Sequence, residues 1–177
     1  RKALMVCRTV DNGQAYFSSV KERWERLLAR RDIDKYKTVL PACNKQLEGG
    51  HNAKELCMVV ASAGTGKSLF LVNQAVASMM ENKKVLYVSL EMSEDKIANR
   101  FDSIITMLPI AKLKEPSTQI QLNKRLDLFK EHFPKSQLVI KEFPTGQANA
   151  NTLRALLVQL KSYDNFEPDL IIVDYLE

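Results

Sequence analysis

Eight consecutive residues, Ala61-Ser62-Ala63-Gly64-Thr65-Gly66-Lys67-Ser68, combine two glycines, a lysine and a hydroxyl at intervals that suit the binding of phosphate. Gly64 and Gly66 can take φ > 0 and carry no Cβ to hold an anion away from the backbone. Successive N–H groups then turn inward as an anion nest at the positive end of the following helix. Lys67 supplies a compact cation for β- and γ-phosphates, and the Ser68 hydroxyl is the usual inner ligand of Mg²⁺. The run closes an apolar stretch, Leu56-Cys57-Met58-Val59-Val60, and opens a helical one. Strand, glycine-bearing loop and helix together form the context that a phosphate-binding P-loop needs. The first position is Ala61 rather than the commoner glycine.

Two acids at the ends of apolar runs extend the pattern. Leu170-Ile171-Ile172-Val173-Asp174 follows the turn signal Glu167-Pro168-Asp169. A strand buried on both faces of a parallel sheet has this continuous apolar look, and ligands bind beyond the carboxyl ends of such strands. Asp174 is thus placed to hold Mg²⁺ through a water. Residues 84–90 form a second buried-type strand, followed by Glu91 and by Ser93 as the N-cap of a helix. Tyr175, not an acid, follows Asp174, so the commonest place for a general base is empty. Glu91 can fill that role. From chemistry alone it can equally be an acid that favours the helix macrodipole.

The elements that must position these groups alternate. Strands are expected near 56–61, 84–90, 137–142 and 169–174. Helices are expected near 67–81, 93–107, 118–131 and 150–163, which means a parallel α/β sheet. Pro109 and Pro116 bound a loop. In the helix over 118–131, Ile120, Leu122, Leu126, Leu128 and Phe129 are expected to be buried, with Lys124, Arg125, Asp127 and Lys130 outward. Residues 14–31 form an amphipathic helix, with Phe17, Val20, Trp24, Leu27 and Leu28 on one stripe.

The three motifs together, A-x-x-G-x-G-K-S, Ser-Leu-Glu-Met-Ser and Ile-Ile-Val-Asp-Tyr-Leu, resemble the motor domain of DnaB-like replicative helicases, above all the hexameric helicases of large tailed phages. The segment Lys141-Glu142-Phe143-Pro144-Thr145-Gly146 also has a counterpart there. The resemblance implies a RecA-like P-loop NTPase over 39–177, a mainly parallel sheet sandwiched by helices and incomplete at its C-terminus, after a linker region at 1–38. It implies that residues 61–68 and Arg100 bind ATP, that Ser68 and Asp174 hold Mg²⁺, and that Lys67, Glu91 and Asp174 serve hydrolysis, with Glu91 as the base. Arg100 can as well lie on a solvated helix face. The resemblance further implies single-stranded DNA as track, a homo-hexamer, a primase or helicase loader as partner, and a cytoplasmic location, the host's if phage-encoded. The helix over 14–31 would then dock on a neighbouring subunit, rather than on its own core. In RecA-type sheets a further strand lies between the P-loop strand and the Asp174 strand, so a slot is expected between them. Two readings stand beside the helicase: another RecA-type ATPase, and a nucleotide-binding assembly module without turnover.

The bulk numbers fit one soluble domain with a sizeable core. The chain has 177 residues, 45% of them apolar and 27% charged, the range of globular proteins. No apolar run approaches a membrane span, and the first residues do not resemble a signal peptide. It begins at Arg1 rather than Met and stops three residues past Asp174, which reads as a fragment of a longer polypeptide. Cys7, Cys43 and Cys57 form no C-x-x-C pair and are expected to be free thiols in a reducing compartment, Cys57 as a small core residue. His51 and His132 share no metal-ligand spacing. The net charge of +5 sits in residues 1–50, which hold 11 basic and 6 acidic side chains. Acids interleave with the bases there, which favours subunit docking over contact with DNA phosphates.

Overall fold

The computed structural model describes residues 16–29, 35–62, 64–144 and 146–174. The chain divides into two compact units, residues 1–34 and 35–177. The first unit contributes helix α1 (Val20–Ala29), none of whose residues is buried. Its expected stripe is wholly exposed: Phe17, Val20, Trp24, Leu27 and Leu28 all face out. Arg23 lies over the Tyr16 ring, 4.0 Å from its centroid, and its guanidinium donates to the Tyr16 carbonyl.

In the second unit, α2 (Pro41–Gln46) and α3 (Lys67–Met80) precede β1 (Lys84–Ser89). Then come α4 (Glu94–Thr106), two short 3₁₀ turns over 110–118, α5 (Gln119–His132), β2 (Gln137–Glu142), α6 (Ala150–Asp164) and β3 (Leu170–Asp174). The strands form one parallel sheet in the order β2-β1-β3. Tyr87 pairs with Ile140 on one side and Ile172 on the other, and Ser89 with Glu142 and Asp174. The carboxyl ends of all three strands are therefore level.

Period-2 alternation along β1 divides the core. Val85 and Tyr87 join Val72, Ala75, Val76 and Met79 of α3 and Ile97 and Phe101 of α4 on one face. Leu86 and Val88 join Leu160 and Phe166 on the other, with Leu153, Leu156 and Leu157 of α6 packed against them. Helices thus cover both faces, as the continuous apolar runs require. Asn149 caps α6, its side chain accepting from the N–H of Asn151 and Thr152 in a reciprocal capping box. Upstream, Tyr36 and His51 form an antiparallel bridge, and a Cβ at Gly50 (φ 134°) would collide with the Tyr36 carbonyl. The Gln74 amide stands in for a strand rung, accepting from Val39 N–H at 3.0 Å and donating to the Lys37 carbonyl at 2.8 Å.

Several sequence expectations need correction. Residues 56–61 do not form a strand: they have no regular structure, and Leu56, Met58 and Val60 are exposed. An apolar run becomes a strand only where a ladder satisfies its N–H and C=O groups, and no described strand pairs with this one. Cys57, expected in the core, is exposed for the same reason; Cys43 is also exposed, and both are free. Cys7 lies outside the described residues. On α5, Ile120 and Leu128 are exposed, while Leu122, Leu126 and Phe129 are half-buried. Arg125 turns inward instead and donates to the Thr106 carbonyl at the end of α4. Ser93 takes the N-cap position of α4, yet its side chain caps nothing. A carboxylate of β2 substitutes: Glu94 N–H donates to Glu142 Oε2 (3.3 Å) and Glu142 N–H to Glu94 Oε1 (3.0 Å).

Candidate nucleotide and magnesium site

The loop over 61–68 bends through two left-handed glycines, Gly64 at φ 73° and Gly66 at φ 94°. Gly66 is also the N-cap of α3, a place where L side chains are strained and glycine is not. A Cβ built on either glycine meets nothing within 4 Å, so the loop's outer side is open. Thr65 ties the loop to itself, its Oγ1 donating to the Ser62 carbonyl at 2.6 Å. Lys67 Nζ donates to the Ala61 carbonyl at 3.1 Å and so folds back over the loop. Ala61, Ser62, Gly64, Thr65 and Gly66 are exposed; Lys67 and Ser68 are half-buried. Ala63 lies outside the described residues.

Ser68 and Asp174, 106 positions apart in the chain, meet here: Ser68 Oγ donates to Asp174 Oδ1 at 3.1 Å. Asp174 ends β3 and is buried, only 2% exposed. Its second oxygen, Oδ2, accepts from Tyr87 Oη at 2.7 Å. Burial first, and then the Asp174 carboxylate that accepts its hydrogen bond, push the Tyr87 phenol above its ordinary range. The charge of Arg100, half-buried on α4, acts on Tyr87 in the opposite direction. A hydroxyl beside a carboxylate, both hard oxygen donors, next to an open glycine loop, is a donor set that fits Mg²⁺ and a polyphosphate.

Glu91 is exposed in the turn beyond β1. That turn is clasped from three sides. Ser89 Oγ donates to the Met92 carbonyl (2.6 Å) and accepts from Met92 N–H (2.9 Å). Leu90 N–H donates to the Asp174 carbonyl at 2.8 Å, and Phe143 N–H to the Ser89 carbonyl at 2.9 Å. Glu91 is thus one residue beyond a backbone tie to Asp174. Sequence reasoning singled out Ser68, Asp174 and Glu91 but missed Tyr87 and Ser89. The available signal was polarity: a tyrosine and a serine in a strand that after Lys84 is otherwise Val, Leu and Val.

A parallel α/β sheet with a glycine loop before its first packed helix, and an acid at the end of a later strand, defines a RecA-like P-loop fold. The chain belongs to the DnaB-like helicases: the model of the DnaB-like helicase C terminal domain matches residues 37–177. A DnaB-like replicative helicase of Enterobacteria phage T4 is 30% identical over 177 residues, covering 99% of this chain. The chain spans 37% of the length of that relative.

Proposed function

We propose that this chain is the ATP-binding and ATP-hydrolysing motor of a replicative ring helicase, which moves along single-stranded DNA and opens duplex at the fork. The observation that carries the reading is the contact of Ser68 with Asp174 beside the open glycine loop. Membership of the DnaB-like helicases favours it over another RecA-type ATPase.

In this reading the N–H groups around Gly64 to Ser68 and the Lys67 ammonium hold the β- and γ-phosphates of ATP, with the rest of 61–68 shaping the loop. The Ser68 hydroxyl and, through a water, Asp174 would hold Mg²⁺, which would supply positive charge against the phosphates. Glu91 accepts a proton from the attacking water, and its clasped turn limits where the carboxylate can reach. Arg100 adds positive charge on the Asp174 side of the site. The exposed stripe of α1 docks on a neighbouring protomer in a homo-hexamer, with a primase or a loader as further partner and the cytoplasm as location.

The assignment is tested in two steps. Lys67→Ala should weaken ATP binding by at least tenfold in calorimetry while circular dichroism stays unchanged, because an ammonium held against phosphate is lost, at ~1.4 kcal/mol per tenfold. Unchanged affinity would remove the P-loop role. Glu91→Gln should keep ATP binding and lower hydrolysis by about 10²-fold or more, the contribution of a positioned base. Normal turnover in that variant would move the base elsewhere, with Glu177, outside the described residues, next in line.

A further inference from the structure

Tyr87 is the largest fully buried side chain of the protein's described residues, and it carries a hydroxyl into the apolar cluster that Val85, Ile97, Phe101 and Ile172 form on the α3/α4 face of β1. Packing alone does not call for that oxygen. Phenylalanine would fill the same volume, and a buried phenol needs a hydrogen-bond partner that a benzene ring does not. The partner found is not a backbone carbonyl but the Asp174 carboxylate, at 2.7 Å.

The geometry is set by the sheet. Tyr87 pairs with Ile172 across β1 and β3, so Asp174 is two residues further along the neighbouring strand and points to the same face. Diagonal neighbours of this kind lie within reach of a long aromatic side chain. The Tyr87 ring is held in turn by an edge contact with Phe101 of α4, centroids 5.6 Å apart and planes at 90°. The carboxylate is therefore gripped at both oxygens, Oδ2 by Tyr87 from within the core and Oδ1 by Ser68 from the loop.

We infer that Tyr87 is a positioning residue: its hydroxyl fixes the rotation of the Asp174 carboxylate so that Oδ1 faces the Ser68 hydroxyl where a divalent cation would be held. The inference rests on the reading of Ser68 and Asp174 as the magnesium pair. Groups that hold a metal's ligands in place typically change metal affinity by about 10–100-fold when removed. With Tyr87→Phe the ring still fills the core, but the carboxylate is free to turn and Oδ2 loses its donor. Tyr87 is fully buried and its hydroxyl is committed to Asp174 Oδ2, so it acts through that carboxylate and its effect is expected in the metal-dependent part of binding.

The experiment measures ADP affinity of the intact protein by calorimetry, in excess chelator and across a Mg²⁺ series, for the parent, Tyr87→Phe and Asp174→Asn. Tyr87→Phe should bind ADP in chelator within twofold of the parent, yet need about tenfold more Mg²⁺ for half of the metal-dependent gain. Asp174→Asn should lose that gain. If Asp174→Asn loses it and Tyr87→Phe matches the parent, the role of Tyr87 is overturned and the magnesium reading stands. If Asp174→Asn keeps the gain, the magnesium reading fails and the inference falls with it. Should Tyr87→Phe not fold, a ¹³C-labelled tyrosine at 87 in the unaltered sequence decides. Its ring signal should move when Mg²⁺ is added to the ADP-bound protein, and a stationary signal overturns the inference.

Discussion

Two apolar runs of nearly equal length lie either side of α3, and they meet opposite fates. Residues 84–89 are the central strand, with Val85, Leu86 and Tyr87 fully buried and a hydrogen-bonded neighbour on each side. Residues 56–61 are at least as apolar, yet Leu56 is 91% exposed and the segment has no regular structure. Composition does not separate them. What does is the ladder: β1 has β2 and β3 to satisfy its backbone, and α3, α4 and α6 to cover its side chains. Strand propensity is a statement about neighbours, not about a peptide alone.

Removing one side chain from each run should have very different costs. Leu86→Ala should cost about 2–5 kcal/mol, the usual result of opening a core cavity. Met58→Ala should stay within about 0.5 kcal/mol, as at other exposed positions. Urea midpoints measure both, and equal losses would mean that Met58 is buried after all. Amide exchange follows at the level of the backbone. The amides of β1 should exchange only through global opening, whereas those of 56–61 should exchange at rates close to an unstructured peptide. Comparable protection in the two segments would show a ladder that the described strands lack.

A smaller effect concerns association. Leu56-Cys57-Met58-Val59-Val60 has high β-propensity, no charge and no proline, the profile of a segment that pairs with copies of itself. Leu56→Lys should raise the protein concentration at which light scattering appears, with an unchanged circular dichroism spectrum. The smallest effect is electrostatic. Glu94, which opens α4 after the buried run, has its carboxyl held below the usual range, first by the Glu142 N–H and then by Lys141. A depressed carboxyl stabilises the fold above its ordinary pKa, and that contribution is lost as pH falls through the lowered value. Glu94 is half-exposed, so solvent screens the gain. Glu94→Gln should flatten the acid limb of the stability profile slightly. Glu55, beside the exposed run, is also depressed, first by its hydrogen bond from the Asn52 side chain. Because that bond closes only a local turn, Glu55→Gln should leave global stability against pH unchanged.

Much of the architecture was legible because it is written in local periodicity. The strand over 137–142 coincides with its expected bounds, and each of the four core helices lies within a residue of them at either end. The glycine loop was legible for a different reason, since only a few residue types tolerate its backbone. Burial on α5 was not: Leu128 and Leu126 differ by half a turn, and which one faces the core depends on where α4 lies. Nor was the tie of Tyr87 to Asp174, because pairing register joins positions 87 apart and no local pattern carries it. The strand expected at 56–61 failed through the same gap. Apolarity announces that a segment seeks partners, and says nothing of whether they are there.

The level ends of the three strands have an evolutionary consequence. Glu142, Ser89 and Asp174 share one rung, so the site is addressed by position along the sheet rather than by distance along the chain. Loops such as the 3₁₀ turns over 110–118 can lengthen or shorten without disturbing it. A single residue inserted within β3 cannot be absorbed in that way. It would carry Asp174 one step of about 3.3 Å forward and turn it to the opposite face, away from both Tyr87 and Ser68. Among descendants of this sequence, length variation should therefore collect between the strands and be purged from within them.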